Sequence, residues 1–302
     1  MSAEERAIFD RELVRRRRTR HARQAAETTF LLDHAADDIA DRLALVKRPF
    51  EVALDLGAGP GRLSARLAAM GVGLVISADL SAEMMAPAGG LRVVCDEELL
   101  PIRPGSMDLV VSGLALQQVN DLPGALIQIR RALKPDGLMV VSLLGGRTLF
   151  ELREALVVAE TETTGGASPR VAPFADVREL GQLLQRTGFA LPVADSDVVE
   201  VGYRSALELM RDLRGMGWAN PLRERRAHAM RRDTLQRAVE VYAERFARAD
   251  GRVTATFEIV TLTGWAPHDS QQKPLRPGSA TARLADALGT TETQLPEKPE
   301  RG

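Results

Sequence analysis

From Glu51 onward, short apolar runs alternate with longer stretches in which apolar residues recur three or four positions apart. The runs are EVALDL, GLVISADL, RVVC, MDLVVSGL and LMVVSLLG; GRLSARLAAM and LPGALIQIRRAL lie between them. A run apolar at nearly every position suits a strand buried on both faces, and the longer period suits a helix with one buried face. Their alternation predicts a mostly parallel, doubly wound α/β sheet. Lys134-Pro135-Asp136-Gly137 is predicted as the turn that ends the second helix.

Past Gly146 the pattern loosens. TLFELREALVVAETE, DVRELGQLLQRTGF, SALELMRDLRGMG and DTLQRAVEVYAERFA are predicted helices, and VADSDVVEV and RVTATFEIVTLTGWA are predicted strands. No Gly or Pro precedes Pro49, so one or two helices are predicted before it. The expected organisation is a basic helical extension or lid over 1–45, an α/β domain over 46–268 with a helical insertion at about 203–248, and a tail over 269–302. That tail has no apolar period and is predicted to be disordered.

Composition narrows the classes. The 302 residues are 45% hydrophobic and carry a net charge of -1, so a general nucleic-acid role is not expected; base-stacking aromatics are also missing from the basic stretch Arg15–Arg18, Arg20 and Arg23. That stretch is either a solvated helix face or a lid or docking arm. Cys95 is the single cysteine and reads as a small apolar filler, which excludes a disulfide framework. No apolar run approaches the roughly 20 residues that span a bilayer, and the acidic start does not read as a secretory signal. A cytoplasmic location is expected.

The candidate chemistry starts at Gly57-Ala58-Gly59-Pro60-Gly61, between the strand ALDL and the helix RLSARLAAM. The spacing is neither the G-x-G-x-x-G of a dinucleotide site nor that of a phosphate loop, which also needs a lysine. Pro60 removes an N–H that an anion would want. Asp79 ends the second apolar run, where a carboxylate can accept both hydrogen bonds of a ribose diol. Asp96 and Glu97 follow the third run and can meet an adenine amino group, while Asp55 can face an ammonium. Acids at successive strand ends suit a cationic nucleoside, S-adenosylmethionine. The expected cofactor set is Asp55, Gly57, Ala58, Gly59, Gly61, Asp79, Leu80, Asp96, Glu97 and Ser112. The bland alternatives are a plain tight turn, a helix cap at Asp79 and solvated acids at 96 and 97.

These residues resemble the class I S-adenosylmethionine-dependent methyltransferases. IFDREL, DEELLPI, DLVVSGLALQQVNDLPGAL, GGRTLFELREAL, AETETTGGASPRVAPF, ELMRDLRGMG and RPGSAT narrow the likeness to the methyltransferase-fold assembly factors of respiratory complex I. The malonyl-carrier-protein carboxyl methyltransferases of biotin synthesis are the next most similar family. The first resemblance implies a seven-strand sheet of order 3-2-1-4-5-7-6 with the last strand antiparallel. It also implies a protein partner, an iron–sulfur subunit of complex I carrying an arginine to be hydroxylated, met at the inner face of the respiratory membrane. Such assembly factors tend to carry His-Trp where this chain has Gln117-Gln118.

The catalytic group is not legible. From Ser112 to Gln118 no side chain is a general base, which suits a carboxylate acceptor as well as a group supplied from elsewhere. The histidines His21, His34, His228 and His268 form no H-x-D/E pair, so no metal site is expected. Gln117, Gln118, Tyr203, Met216 and Trp218 are candidates for lining the acceptor site, with core packing as the alternative. Three functions stay open: an assembly-type enzyme modifying a protein side chain, a carboxyl methyltransferase acting on malonyl carrier protein, and a cofactor-binding chaperone without chemistry.

Overall fold

The computed structural model describes residues 7–25, 27–226, 228–272, 286, 289 and 290. By internal contacts the chain divides into Met1–His268 and Asp269–Gly302, and every element named below belongs to the first unit. Most of the predicted tail, with RPGSAT, lies outside the described residues.

The strands are β1 (Val52–Leu56), β2 (Leu74–Asp79), β3 (Leu91–Val94), β4 (Met107–Gly113), β5 (Leu133–Leu144), β6 (Ala190–Tyr203) and β7 (Val253–Trp265). They form one sheet in the order β3-β2-β1-β4-β5-β7-β6. β1, β2, β3, β4 and β5 run parallel, and β7 lies antiparallel between β5 and β6. This is the class I methyltransferase topology that the resemblance implies.

Alternation along the central strands divides the core. Leu54, Val110, Met139 and Val141 face α4 (Leu122–Ala132) and α6 (Val177–Arg186), meeting Leu126, Ile129, Leu180 and Leu184. Ala53, Leu109, Val111 and Val140 face α2 (Phe30–Ala44) and α3 (Arg62–Ala69), meeting Ile39, Leu43, Leu63 and Leu67. Residues of opposite parity point to opposite faces, so nearly every position of such strands must be apolar. A third cluster joins α5 (Phe150–Thr164), α7 (Ala206–Gly215) and α8 (Arg232–Phe246) over the β7 side, where Tyr242 is fully buried and donates to the Thr254 carbonyl at 2.7 Å.

Local signals explain several boundaries. Asp121 caps α4, accepting from the Gly124 N–H at 2.8 Å, and Asp176 with Glu179 forms a capping box at α6. The predicted turn at Lys134–Gly137 is different in the structure: it is an irregular stretch inside β5. The register jumps from Met107 opposite Leu133 to Leu109 opposite Leu138, with Asp136 at φ +61°. The extra residues bulge toward β7, where Asp136 N–H donates to the Ala266 carbonyl and Ala266 N–H to that of Gly137. Backbone groups released by the bulge thus find partners, and the proline, which lacks an N–H, loses none there.

The N-terminal segment is folded onto the domain. Phe9 bridges Leu222, and Asp10 N–H donates to the Pro221 carbonyl at 2.9 Å. Helix α1 (Arg11–Ala25) follows, packed near α7 and across the C-terminal ends of β1, β2 and β4.

Candidate functional site

The loop after β1 is held by backbone. Gly57 and Ala58 donate their N–H groups to the Ala78 carbonyl at 2.7 and 2.9 Å, which ties the loop to the end of β2. Gly57, Gly59 and Gly61 all have positive φ, at 72°, 53° and 77°. Their surroundings differ. A Cβ on Gly57 would stand 2.1 Å from Ala115 Cβ, so this glycine is required by packing. A Cβ on Gly59 would meet only Leu32, at 4.0 Å, and would project into a cavity.

That cavity, about 60 Å³, is walled by Gly57, Gly59, Asp79, Leu31 and Leu32 of α2, Met216, Trp218 and Arg18 of α1. Asp79 is buried, and its Oδ2 accepts from the Gly59 N–H at 3.0 Å while Oδ1 accepts from Ser81 N–H at 2.9 Å. Arg18 closes the other side. Its Nη1 lies 2.8 Å from Glu97 Oε1 and 3.3 Å from Asp79 Oδ1. Arg11, two helical turns earlier, pairs with Asp96 at 2.6 Å and with Glu97, and donates to the Gln118 carbonyl.

Two guanidiniums therefore meet three strand-end carboxylates, and the net attraction for a cationic nucleoside is weaker than the acids alone suggest. Burial would raise the Glu97 pKa, but Arg18 and Arg11 outweigh it and hold the carboxyl below its ordinary range. At Asp79 burial wins: with Glu97 nearby, it keeps the pKa above the ordinary value against Arg18 and the two N–H donors. Burial opposes the charge on Arg18, and Asp79 and Glu97 more than compensate, so the guanidinium stays protonated.

The other expected residues are distributed around this centre. Asp55 is buried behind the loop and does not wall the cavity; its Oδ2 accepts from Ser64 Oγ of α3 at 2.6 Å, and Ser64 Oγ is 2.7 Å from Ser77 Oγ. Asp55 Oδ1 is buried without a partner, and burial pushes the carboxyl up to about 7. Ser112 Oγ is likewise buried and unpartnered at the end of β4. Leu80, Ala58 and Gly61 are buried around the loop, and Asp96 is committed to Arg11 and to the Glu98 N–H.

A second cavity of about 230 Å³ adjoins the first through Trp218, which lines both. Gln117 and Gln118, in the 3-10 turn Leu116–Gln118, line it together with residues of α5 and α7. Gln117 donates to the Leu114 carbonyl at 2.7 Å, while its Oε1 is buried without a partner. Of the acceptor candidates, Gln117, Gln118 and Trp218 meet at this cavity and Met216 at the first. Tyr203 walls neither; it is buried in the cluster under α7 and α8.

Sequence reasoning missed Arg11 and Arg18. The basic stretch is neither simply solvated nor a free docking arm: Arg18 is buried among acids, and Arg17 donates to the Ala219 carbonyl at 2.7 Å. The available signal was the seven-residue spacing of Arg11 and Arg18, which puts both on one helix face. Among the described residues, no group of three or more His, Cys, Asp or Glu side chains is placed to hold a metal.

Known proteins place this architecture. Residues 54–141 match the family model described as a methyltransferase domain. The structure of the YcgJ protein from Bacillus subtilis superposes with a TM-score of 0.55 at 15% identity, covering 78% of this chain and 99% of that one. The malonyl-[acyl-carrier protein] O-methyltransferase of Methylovorus is 34% identical over 86% of this chain and 90% of its own length. The mouse mitochondrial arginine-hydroxylase NDUFAF5 is 42% identical over 96% of this chain and 87% of its own length. With the sheet order of the superfamily and that identity across nearly its whole length, the chain belongs to the NDUFAF5 family of enzymes within the S-adenosylmethionine-dependent methyltransferase superfamily.

Proposed function

We propose that the chain binds S-adenosylmethionine in the Gly59–Asp79 cavity and modifies an arginine side chain of a protein partner, an iron–sulfur subunit of respiratory complex I. The observation that carries this reading is the 42% identity to an arginine hydroxylase over 96% of the chain. The residues present fit the cofactor. Gly59 leaves open space, and Asp79 is held by two N–H donors with its carboxylate at that space. In this reading Asp79 orients the ribose hydroxyls and the glycine loop lets the nucleoside approach the backbone. When bound, the cofactor supplies a sulfonium carrying a transferable methyl group.

Among the described residues, no helix is long and apolar enough to cross a membrane. The proposed setting is a cytoplasmic protein that meets its partner at the inner face of the respiratory membrane. The test is a mass comparison of complex I subunits from cells with and without this protein. The expected result is an arginine-containing peptide lighter by one oxygen atom in the deletion, that atom coming from dioxygen with an external two-electron reductant and not from the cofactor's methyl group; identical masses would remove the arginine reading.

Carboxyl methylation of malonyl carrier protein is the second reading. Its supporting observation is Arg214 at the second cavity, whose side chain has no ion pair among the described residues and which could receive a carboxylate. Biotin auxotrophy of the deletion strain, with complex I activity intact, would select it.

A further inference from the structure

We propose that the second cavity is a specificity pocket for one ring-sized side chain, a tryptophan or tyrosine, placed beside the modified residue in the protein partner. The inference rests on the reading of the chain as a modifier of protein side chains, and concerns what lies next to the target.

Size comes first. An apolar cavity of about 150 Å³ is enough to admit a benzene ring. This one measures about 230 Å³, so an indole or phenol ring fits. Its walls are chiefly Leu144, Leu149, Leu152, Phe174 and Met210. Leucines fix the shape, and the methionine can adapt to a ring edge.

Charge excludes the target arginine itself. No Asp or Glu lines the cavity, whereas Arg170 and Arg214 do. A guanidinium buried there would have no carboxylate partner and two like charges nearby. Arg170 is already committed to Glu160, so it cannot be turned to another use without exposing that buried carboxylate. The target guanidinium must therefore lie outside this cavity. Because Trp218 lines both cavities, a target that meets the cofactor beside Trp218 places its sequence neighbour at the second.

Gln117 selects among rings. This residue is nine-tenths buried, lines the cavity, and has Oε1 without a donor. That oxygen is enclosed, so an indole N–H or a phenol O–H reaches it with a shift of the Gln117 amide; a phenylalanine leaves it orphaned. A site with an unmet buried acceptor favours the ligand that meets it.

The experiment measures binding of fluorescent arginine peptides to the full chain with S-adenosylmethionine present. The residue beside the arginine, on either side, is varied among Trp, Tyr, Phe, Ala and Lys. Trp or Tyr is expected to bind at least about tenfold tighter than Ala, consistent with burial of one ring. In Leu152→Trp, which fills the cavity, that ratio should collapse toward one. In Gln117→Leu, the advantage of Trp over Phe should vanish even if Leu152→Trp fails to fold. A Trp/Ala ratio near one, a ratio unchanged in a folded Leu152→Trp variant, or a Lys peptide binding as well as the Trp peptide would overturn the proposal. Repeating the series with glutamine in place of the arginine separates the two readings. Retention of the Trp preference, with no loss of affinity on removing the arginine, sinks the arginine target and leaves the pocket standing.

Discussion

Arg18 Nη1 sits 2.8 Å from Glu97 Oε1, deep under helix α1, with the Arg18 side chain 9% exposed and that of Glu97 fully enclosed. The same nitrogen reaches Asp79, the acid expected to hold a ribose. Helix α1 thus supplies the counter-charge for the strand-end acids and a wall of the Gly59–Asp79 cavity together. That cavity measures about 60 Å³, and Arg18 limits its depth beside Asp79.

Arg18→Ala should leave Asp79 and Glu97 buried without this partner. Breaking a buried pair costs about 3–5 kcal/mol, and urea unfolding at neutral pH should show a loss of that order. Without the guanidinium, both acids should titrate higher than in the parent, Asp79 most, since Glu97 keeps Arg11. Such groups destabilise the fold as pH rises from the unfolded to the folded pKa, so the deficit should shrink on acidification. A deficit that is constant between pH 4 and 8 would contradict this account.

Gly57 and Gly59 should separate stability from binding. Gly57→Ala drives a Cβ to 2.1 Å from Ala115 Cβ, and the variant should unfold more easily or fail to accumulate. Gly59→Ala meets no close neighbour, so it should lose only about 1–2 kcal/mol to the left-handed backbone. Its Cβ enters the cofactor space, and calorimetry should show affinity for S-adenosylmethionine reduced by about tenfold or more, the scale of one lost contact. Equal stability losses in the two variants would remove the distinction.

Asp55 should make the fold pH-dependent. Its carboxyl is raised from 3.8 to about 7 by burial, with Asp79 adding and Ser64 opposing. A raised acid favours the folded state only while protonated, so stability should fall from pH 4 toward pH 7 and then level. A shift of this size corresponds to roughly 4 kcal/mol. Asp55→Asn keeps an acceptor for Ser64 but cannot ionise. Relative to the parent it should gain stability as pH rises from 5 to 8, read by denaturant midpoints at both values. No change in that difference would show that Asp55 does not ionise in this range.

Asp79→Asn should weaken cofactor binding by about tenfold to a hundredfold, the loss expected when a charged acceptor becomes neutral. Calorimetry should detect it while the far-ultraviolet spectrum stays native. Unaltered affinity would move the ribose elsewhere.

Much of the architecture was legible because it depends on local pattern. Val110 and Val111 must both be apolar, since adjacent residues of a doubly covered strand face opposite core layers. Positive φ at Gly57 and Gly59 likewise needs residues without a Cβ, whatever surrounds them. The bulge at Lys134–Gly137 was less accessible, because its geometry is settled by hydrogen bonds to Ala266, far along the chain.

The sequence by itself determined the strand and helix succession, the sheet order through its resemblance, and the glycine loop followed by Asp79. Periodicity, turn chemistry and motif spacing act over neighbouring residues and can be read there. Only the tertiary structure decided that Arg18 faces Glu97, 79 positions away, and that Gln117 and Trp218 share a cavity while Tyr203 lies outside it. Those relationships arise when Phe9 bridges Leu222 and α1 packs across the strand ends. A charge finds its partner through the packing of whole elements, and no local pattern encodes that.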